Sequence, residues 1–412
     1  MRYNSKNYDV SFNAELKFDD NFQVSRTPQL YFGRGSVSSL EKIVSSPGNG
    51  TAAVFTGSSF LQKTGFRDKI YRMLTGSGRK VVFFAIPGEP DPSMVDDAVE
   101  EMKRNNVTIT AAIGGGSVID AGKAASVMAL HSGSVRDYLE GVGTLHLKGP
   151  KLPFIAVPTT SGTGSEATKN SVISSVGEAG FKKSLRHESM VPDYAVIDPE
   201  LMISCPPEIT ASSGMDAVTQ LLESFVSVKA SVYTDSLASA ALKAAGMNIE
   251  KAVFNGSDVA GRAAMAWAAY VSGITLTAAG LGVVHGIASP AGGFSAIPHG
   301  TVCGTLLLPA TKYIINRLFE ISPDGNALQK YASASELLTG RDYKSVKEAC
   351  YALIELLDEW TLKFSMPYLE KYGFEENLIR KTAAASDGKN SPVRLETDDI
   401  YNIMMDRLKE NN

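Results

Sequence analysis

The 412 residues include five histidines, and two of them, His285 and His299, share one glycine-rich passage from Gly282 to Gly300. Upstream, Asp216 and Gln220 stand four apart in Gly214-Met215-Asp216-Ala217-Val218-Thr219-Gln220-Leu221. That spacing puts both on one face of a helix, amid apolar neighbours. A carboxylate buried there without a partner is costly, so it calls for a cation. One Asp and two His form a workable set for zinc or ferrous iron, with positions left for water and substrate. Taken singly, each His reads as a satisfied core imidazole. Taken with Asp216, the two read as ligands.

A second kind of chemistry is written in Gly114-Gly115-Gly116-Ser117-Val118-Ile119-Asp120-Ala121-Gly122-Lys123. The three glycines follow an expected strand and open an expected helix, where backbone N–H groups and the helix dipole stabilise a diphosphate. Ser117 with Asp120 three residues on has the pattern of a helix cap. A tight turn needing glycine for geometry alone is the plainer reading. The pattern matches neither G-x-G-x-x-G nor the P-loop, which argues against a mononucleotide kinase. Pro158-Thr159-Thr160-Ser161-Gly162-Thr163-Gly164-Ser165-Glu166 follows another expected strand. Its hydroxyls and amides suit a ribose or phosphate at the carboxyl edge of a sheet, although such loops are more often turns with an N-cap.

The elements that must carry these loops are legible as a rhythm. Runs at Ala52–Thr56, Val81–Ile86, Thr108–Ile113, Phe154–Val157 and Tyr194–Ile197 alternate with helical stretches, which predicts a parallel, Rossmann-like sheet covered on both faces. From Pro206 onward the spacing is helical, as in Tyr351–Leu357, with almost no strand signal. The boundary is therefore placed at Cys205-Pro206-Pro207. Residues 1–205 are expected to form an α/β dinucleotide-binding domain, and residues 206–412 an all-α metal-binding domain. Ala263–Val284 carries no charged residue. Its length would suffice for a membrane span, but its Ala, Gly, Ser and Thr content suits a buried helix pair.

Composition narrows the partners. A net charge of −4, from 40 basic and 44 acidic residues, offers no basic surface to nucleic acid or to an anionic membrane. Cys205, Cys303 and Cys350 form neither a disulfide framework nor a Cys-x-x-Cys ribbon; they read as buried thiols in a reducing cytoplasm. Met1–Asp20 is polar, without the apolar run of a secretory signal. The expected partners are small molecules and further copies of the chain, as a dimer or larger homo-oligomer.

Gly114-Gly115-Gly116-Ser117 with Asp120 and Lys123, Pro158-Thr159-Thr160 through Glu166, Gly214-Met215-Asp216, and His285 with Pro298-His299-Gly300 resemble the iron-containing (group III) alcohol dehydrogenases, in matching order from Tyr31 to Pro309. The resemblance implies a dehydroquinate synthase-like architecture, with a cleft where nicotinamide meets metal-bound substrate. It implies that Asp216, His285 and His299 hold the metal and carry catalysis, and that NAD or NADP serves as hydride carrier between a small alcohol and its aldehyde or ketone. The candidate cofactor residues are Gly57, Ser58, Ser59, Gly114, Gly115, Gly116, Ser117, Asp120, Thr159, Thr160, Thr163, Thr168 and Lys182.

Two positions depart from the family pattern. The usual fourth ligand, a His four residues after the Asp, is Gln220, and a second His often found four residues after the first is Ser289. Gln220 is kept as the fourth candidate ligand, but its carbonyl oxygen is neutral and a weaker ligand than imidazole, which shifts the balance from Fe²⁺ towards Zn²⁺. Members that prefer NAD often have Asp directly after the Thr that ends the first strand. Here that residue is Gly57, with Ser58, Ser59 and Lys63 beyond it, so nothing repels a 2′-phosphate and NADP use is expected. A glycerol dehydrogenase-like enzyme, a cyclase like dehydroquinate synthase and a nucleotide-binding protein with a decayed metal site are the other readings. The cyclase would need basic residues around a polyanion, and the passage 282–300 has no Lys or Arg.

Overall fold

The computed structural model describes residues 21–45, 50–58, 65–76 and 78–410. Met1–Asp20, read above as lacking an export signal, and Ser59 and Lys63, offered as phosphate contacts, lie outside these residues. The strands are β1 (Gln29–Phe32), β2 (Thr51–Gly57), β3 (Val81–Ile86), β4 (Val107–Gly114) and β5 (Phe154–Pro158), then β6 (Asn170–Ser175), β7 (Phe181–Arg186) and β8 (Tyr194–Ile197). Six of them form one sheet in the order β1-β8-β5-β4-β2-β3, and every pairing within it is parallel.

The sheet is buried on both faces because its central strands are apolar at consecutive positions. In β2, Ala53 and Phe55 pack into one core while Ala52 and Val54 pack into the other. The helices of this half are α1 (Ser39–Val44), α2 (Phe66–Thr75), α3 (Pro92–Arg104) and α4 (Gly116–Met128). The sequence reading missed β1 and the antiparallel pair β6–β7. Both members of that pair interleave polar and apolar residues, so no continuous apolar run marks them.

Beyond β8 the chain is helical: α5 (Pro207–Phe225), α6 (Val232–Phe254), α7 (Val259–Ala279), α8 (Val283–Phe294) and α9 (His299–Ile321), followed by α10 (Asn326–Thr339), α11 (Val346–Lys363), α12 (Glu376–Ala384) and α13 (Thr397–Met405). Pro206 and Pro207 do not merely interrupt the chain. They occupy the N-cap and first turn of α5, where a missing N–H costs nothing and a fixed φ suits the helix. Among the described residues no single helix is long and apolar enough to cross a membrane, and the uncharged stretch folds as the buried pair α7 and α8, bent by 100°. The bend falls at Gly280, whose φ of +71° favours glycine. Asn390 straps it, donating through its backbone N–H and its side-chain amide to the Leu281 carbonyl.

Candidate metal centre and cofactor cleft

Asp216 lies near the middle of α5, with Gln220 one turn on and Glu223 a further turn on, all on the buried face. The bend before α8 places His285 in that helix's first turn, and His299 is the first residue of α9. These three helices bring together residues far apart in sequence. His285 Nε2 lies 3.3 Å and His299 Nε2 3.7 Å from Asp216 Oδ1. Asp216 is 1% exposed, and its Oδ1 has no hydrogen-bond partner.

Glu223, which sequence reasoning missed, fixes the orientation of His285. Its Oε1 accepts the Val284 backbone N–H at 2.7 Å, and its Oε2 lies 2.7 Å from His285 Nδ1. A carboxylate can only accept, so Nδ1 carries the proton, which leaves Nε2, on the side of Asp216, as the atom that would bind a metal. The spacing 216, 220, 223 on one helix is the signal that could have revealed it.

Cys303, one turn after His299 on α9, also reaches the cluster: its Sγ lies 3.6 Å from His285 Nε2 and 3.7 Å from His299 Nε2. Burial pushes its thiol up to about 12 and holds His299 down to about 4. The reading of three buried thiols needs correction on two counts. Cys205 is only half-buried, and Cys303 sits beside the candidate ligands rather than in inert core. A His299–Cys303 spacing of four was the available signal.

Gln220 is buried, and its Oε1 accepts the Ser272 hydroxyl at 2.6 Å. A cavity of about 330 Å³ joins this cluster to the start of α4; its wall includes Gln220, His285, Ser289 and His299 together with Gly116, Ser117, Asp120, Thr163, Thr168 and Lys182. Gly114, Gly115, Thr159 and Thr160 stand just behind that wall. The Thr159 N–H donates to the Gly114 carbonyl, and a Cβ on Gly115 would come within 3.3 Å of Thr160 Oγ1. Gly57 ends β2, paired with Ile86 of β3, and Ser58 follows it in the turn.

Several assignments change role. No side chain caps α4, so the expected Ser117–Asp120 cap does not form. Asp120 instead accepts the Ser165 hydroxyl at 2.5 Å and the Val172 N–H at 2.9 Å. Thr168 Oγ1 accepts from Lys123, a fully buried ammonium that also binds the Ser165 and Asn170 carbonyls. Lys182 pairs with Glu89. The passage 282–300 lacks basic residues, but β7 and the strap supply Lys182, Arg186 and Lys389 to the cavity wall. Arg186 is paired with Glu140, so the wall is not a bare polycationic pocket.

The profile described as iron-containing alcohol dehydrogenase matches residues 27–199, and that of the Fe-containing alcohol dehydrogenase family, C-terminal, matches residues 210–408. A long-chain-alcohol dehydrogenase of Geobacillus thermodenitrificans is 34% identical over 355 residues, 85% of this chain and 87% of its own. The NAD-dependent methanol dehydrogenase of Bacillus methanolicus is 32% identical over 390 residues, 92% and 98% of the two chains. Among solved structures, a 1,3-propanediol oxidoreductase superposes with a TM-score of 0.85 at 28% identity, covering 94% of this chain and 100% of its own. An alcohol dehydrogenase from Oenococcus oeni gives 0.85 at 26%, with the same coverage. With both profiles matched end to end around the cleft just described, the chain belongs to the iron-containing alcohol dehydrogenases.

Proposed function

We propose that this cleft interconverts a small alcohol and its aldehyde or ketone, with NAD or NADP as hydride carrier and a divalent metal held by Asp216, His285 and His299. The observation that carries the reading is the continuity of one cavity from the start of α4 to the Asp216 cluster. The donor set fits a cation: a buried carboxylate oxygen without a partner faces two imidazoles, one of them fixed by Glu223. When bound, the metal polarises an alcohol or carbonyl oxygen while the nicotinamide takes or gives hydride.

The chain's own residues supply position. The N–H groups of Gly116 and Ser117 at the start of α4 suit the diphosphate, and Thr163 and Lys182 face the same space. Ser289, one turn after His285, offers a hydroxyl on the cavity wall for proton exchange. We place the division of labour at residues 205/206 and infer a homo-oligomer of the reducing cytoplasm, a setting that suits the free thiols Cys205, Cys303 and Cys350. A panel of alcohols and aldehydes tests the reading: metal-loaded protein should change absorbance at the reduced-nicotinamide band, and Asp216→Ala should abolish both metal retention and turnover. A folded, metal-loaded wild type inert across the panel overturns it.

A further inference from the structure

Gln220 leaves the family's usual fourth ligand position with a neutral amide whose oxygen is already engaged by Ser272. Cys303 approaches the same centre. One ligand atom each from Asp216, His285, His299 and Cys303 lie within 4.8 Å of one another, and Cys303 is fully buried.

The separations within this group can be compared with a coordination polyhedron. Bonds of about 2.0–2.1 Å to nitrogen and oxygen and about 2.3 Å to sulfur, at tetrahedral angles, give edges of about 3.3 Å between O and N and about 3.6 Å between S and N. The S···N distances here are 3.6 and 3.7 Å, and the O···N distances are 3.3 and 3.7 Å. A thiol donating weakly to one imidazole would account for one of the two sulfur contacts. It would leave Asp216 Oδ1 buried without a partner.

Resting on the reading that this site holds a divalent metal, we propose that Cys303 is its fourth protein ligand, as thiolate, making the centre Asp216–His285–His299–Cys303 and selecting zinc over iron. The thiolate restores the ligand number that Gln220 forgoes. With Asp216 it supplies two negative charges to balance the ion, and its softness favours zinc. On metal entry the Sγ–H bond breaks, its electron pair forms the S–metal bond and the proton leaves to solvent.

The test uses the full-length apoprotein titrated with Co²⁺. The expected result is one cobalt per chain, with an intense near-ultraviolet thiolate-to-cobalt charge-transfer band. That band should persist in Cys205→Ser and Cys350→Ser and vanish in Cys303→Ser. Zinc affinity of Cys303→Ser should fall at least about 100-fold, the upper end of what losing a mere outer-sphere partner costs. Wild-type protein that binds one cobalt without the band overturns the thiolate ligand and leaves the Asp–His–His site standing. Wild-type protein that binds no cobalt overturns both. Because the spectra of the wild type, Cys205→Ser and Cys350→Ser together decide, a Cys303→Ser variant that fails to fold does not weaken the test, and loss of the band in either of those two variants overturns the assignment to Cys303.

Discussion

Glu223 shows how much of the centre depends on a side chain that would never touch substrate. By accepting from His285 Nδ1 and the Val284 N–H together, it locks one tautomer and one ring orientation. Glu223→Gln is expected to lower metal affinity about 10–100-fold, read by competition with a chromophoric chelator; unchanged affinity would make Glu223 only a helix-packing residue. A second buried carboxyl, Glu166, is raised to about 7 by burial, from an ordinary 4.5. Its folded value lies above its unfolded one, so its contribution is fully present below about pH 4.5 and lost as pH rises through about 7. Relative to Glu166→Gln, the wild type should lose on the order of 3 kcal/mol across that window; denaturant melts at pH 4.5 and 8 measure the difference, and parallel curves would refute it. At this scale Asp216, His285 and His299 were legible because few residue types ligate metals and these stand close to glycine-rich breaks. Cys303 and Glu223 were not, since a lone thiol defaults to core and a carboxylate one turn beyond Gln220 defaults to solvent. Only the fold shows that both point inward.

The expectation of NADP use rests on the strand-to-helix turns. Gly57, at the end of β2, has no positive φ, and a Cβ there would meet nothing nearer than Val118 Cγ2 at 4.0 Å. Its lack of a side chain is therefore not imposed by the backbone, and an acidic residue fits without strain. Gly57→Asp should shift the kcat/KM ratio towards NAD by at least about tenfold, since a carboxylate repels the 2′-phosphate and accepts from the ribose hydroxyls. A wild type already selective for NAD, and unmoved by the change, would end the expectation of NADP use. Gly116 is different: a Cβ there would lie 2.6 Å from the Thr163 side chain, so the two loops are packed against each other. The five apolar strands were visible because parallel strands buried on both faces leave continuous runs. The β6–β7 hairpin was invisible because one face lines the cleft with Asn170, Lys182, Ser184 and Arg186 while the other sends Ile173 and Leu185 into the core, so no continuous apolar run forms. Arg186 thus entered the cavity wall unannounced, beside Lys182, which the family resemblance had already named.

Across the whole molecule, the two halves meet backbone to backbone. Gly164, with φ +60°, lies against α7 so closely that a Cβ would sit 2.5 Å from Ala269 O and Gly273 N. A Cβ on Gly273 would in turn lie 2.2 Å from Gly164 O. The loop after β5 is therefore held from both sides, by α7 and by the buried Lys123. The change of rhythm near Pro206 is visible in one dimension, but this apposition is not, because nothing in a lone glycine names its partner.

The starts of α4 and α9 both open on one cavity, at Gly116 and at His299, whereas the start of α8 is already met by the Glu223 carboxylate. Each start carries roughly half a positive charge, so a protein of net charge −4 presents an attractive mouth to an anion. Encounter with a dinucleotide is then guided by the local field rather than opposed by the overall charge. The association rate of the cofactor should fall about tenfold as the Debye length contracts from about 30 Å at 0.01 M salt to about 8 Å at 0.15 M. Stopped-flow fluorescence measures it, and a rate that stays level or climbs with salt would mean that the global charge, not the two helix starts, governs arrival.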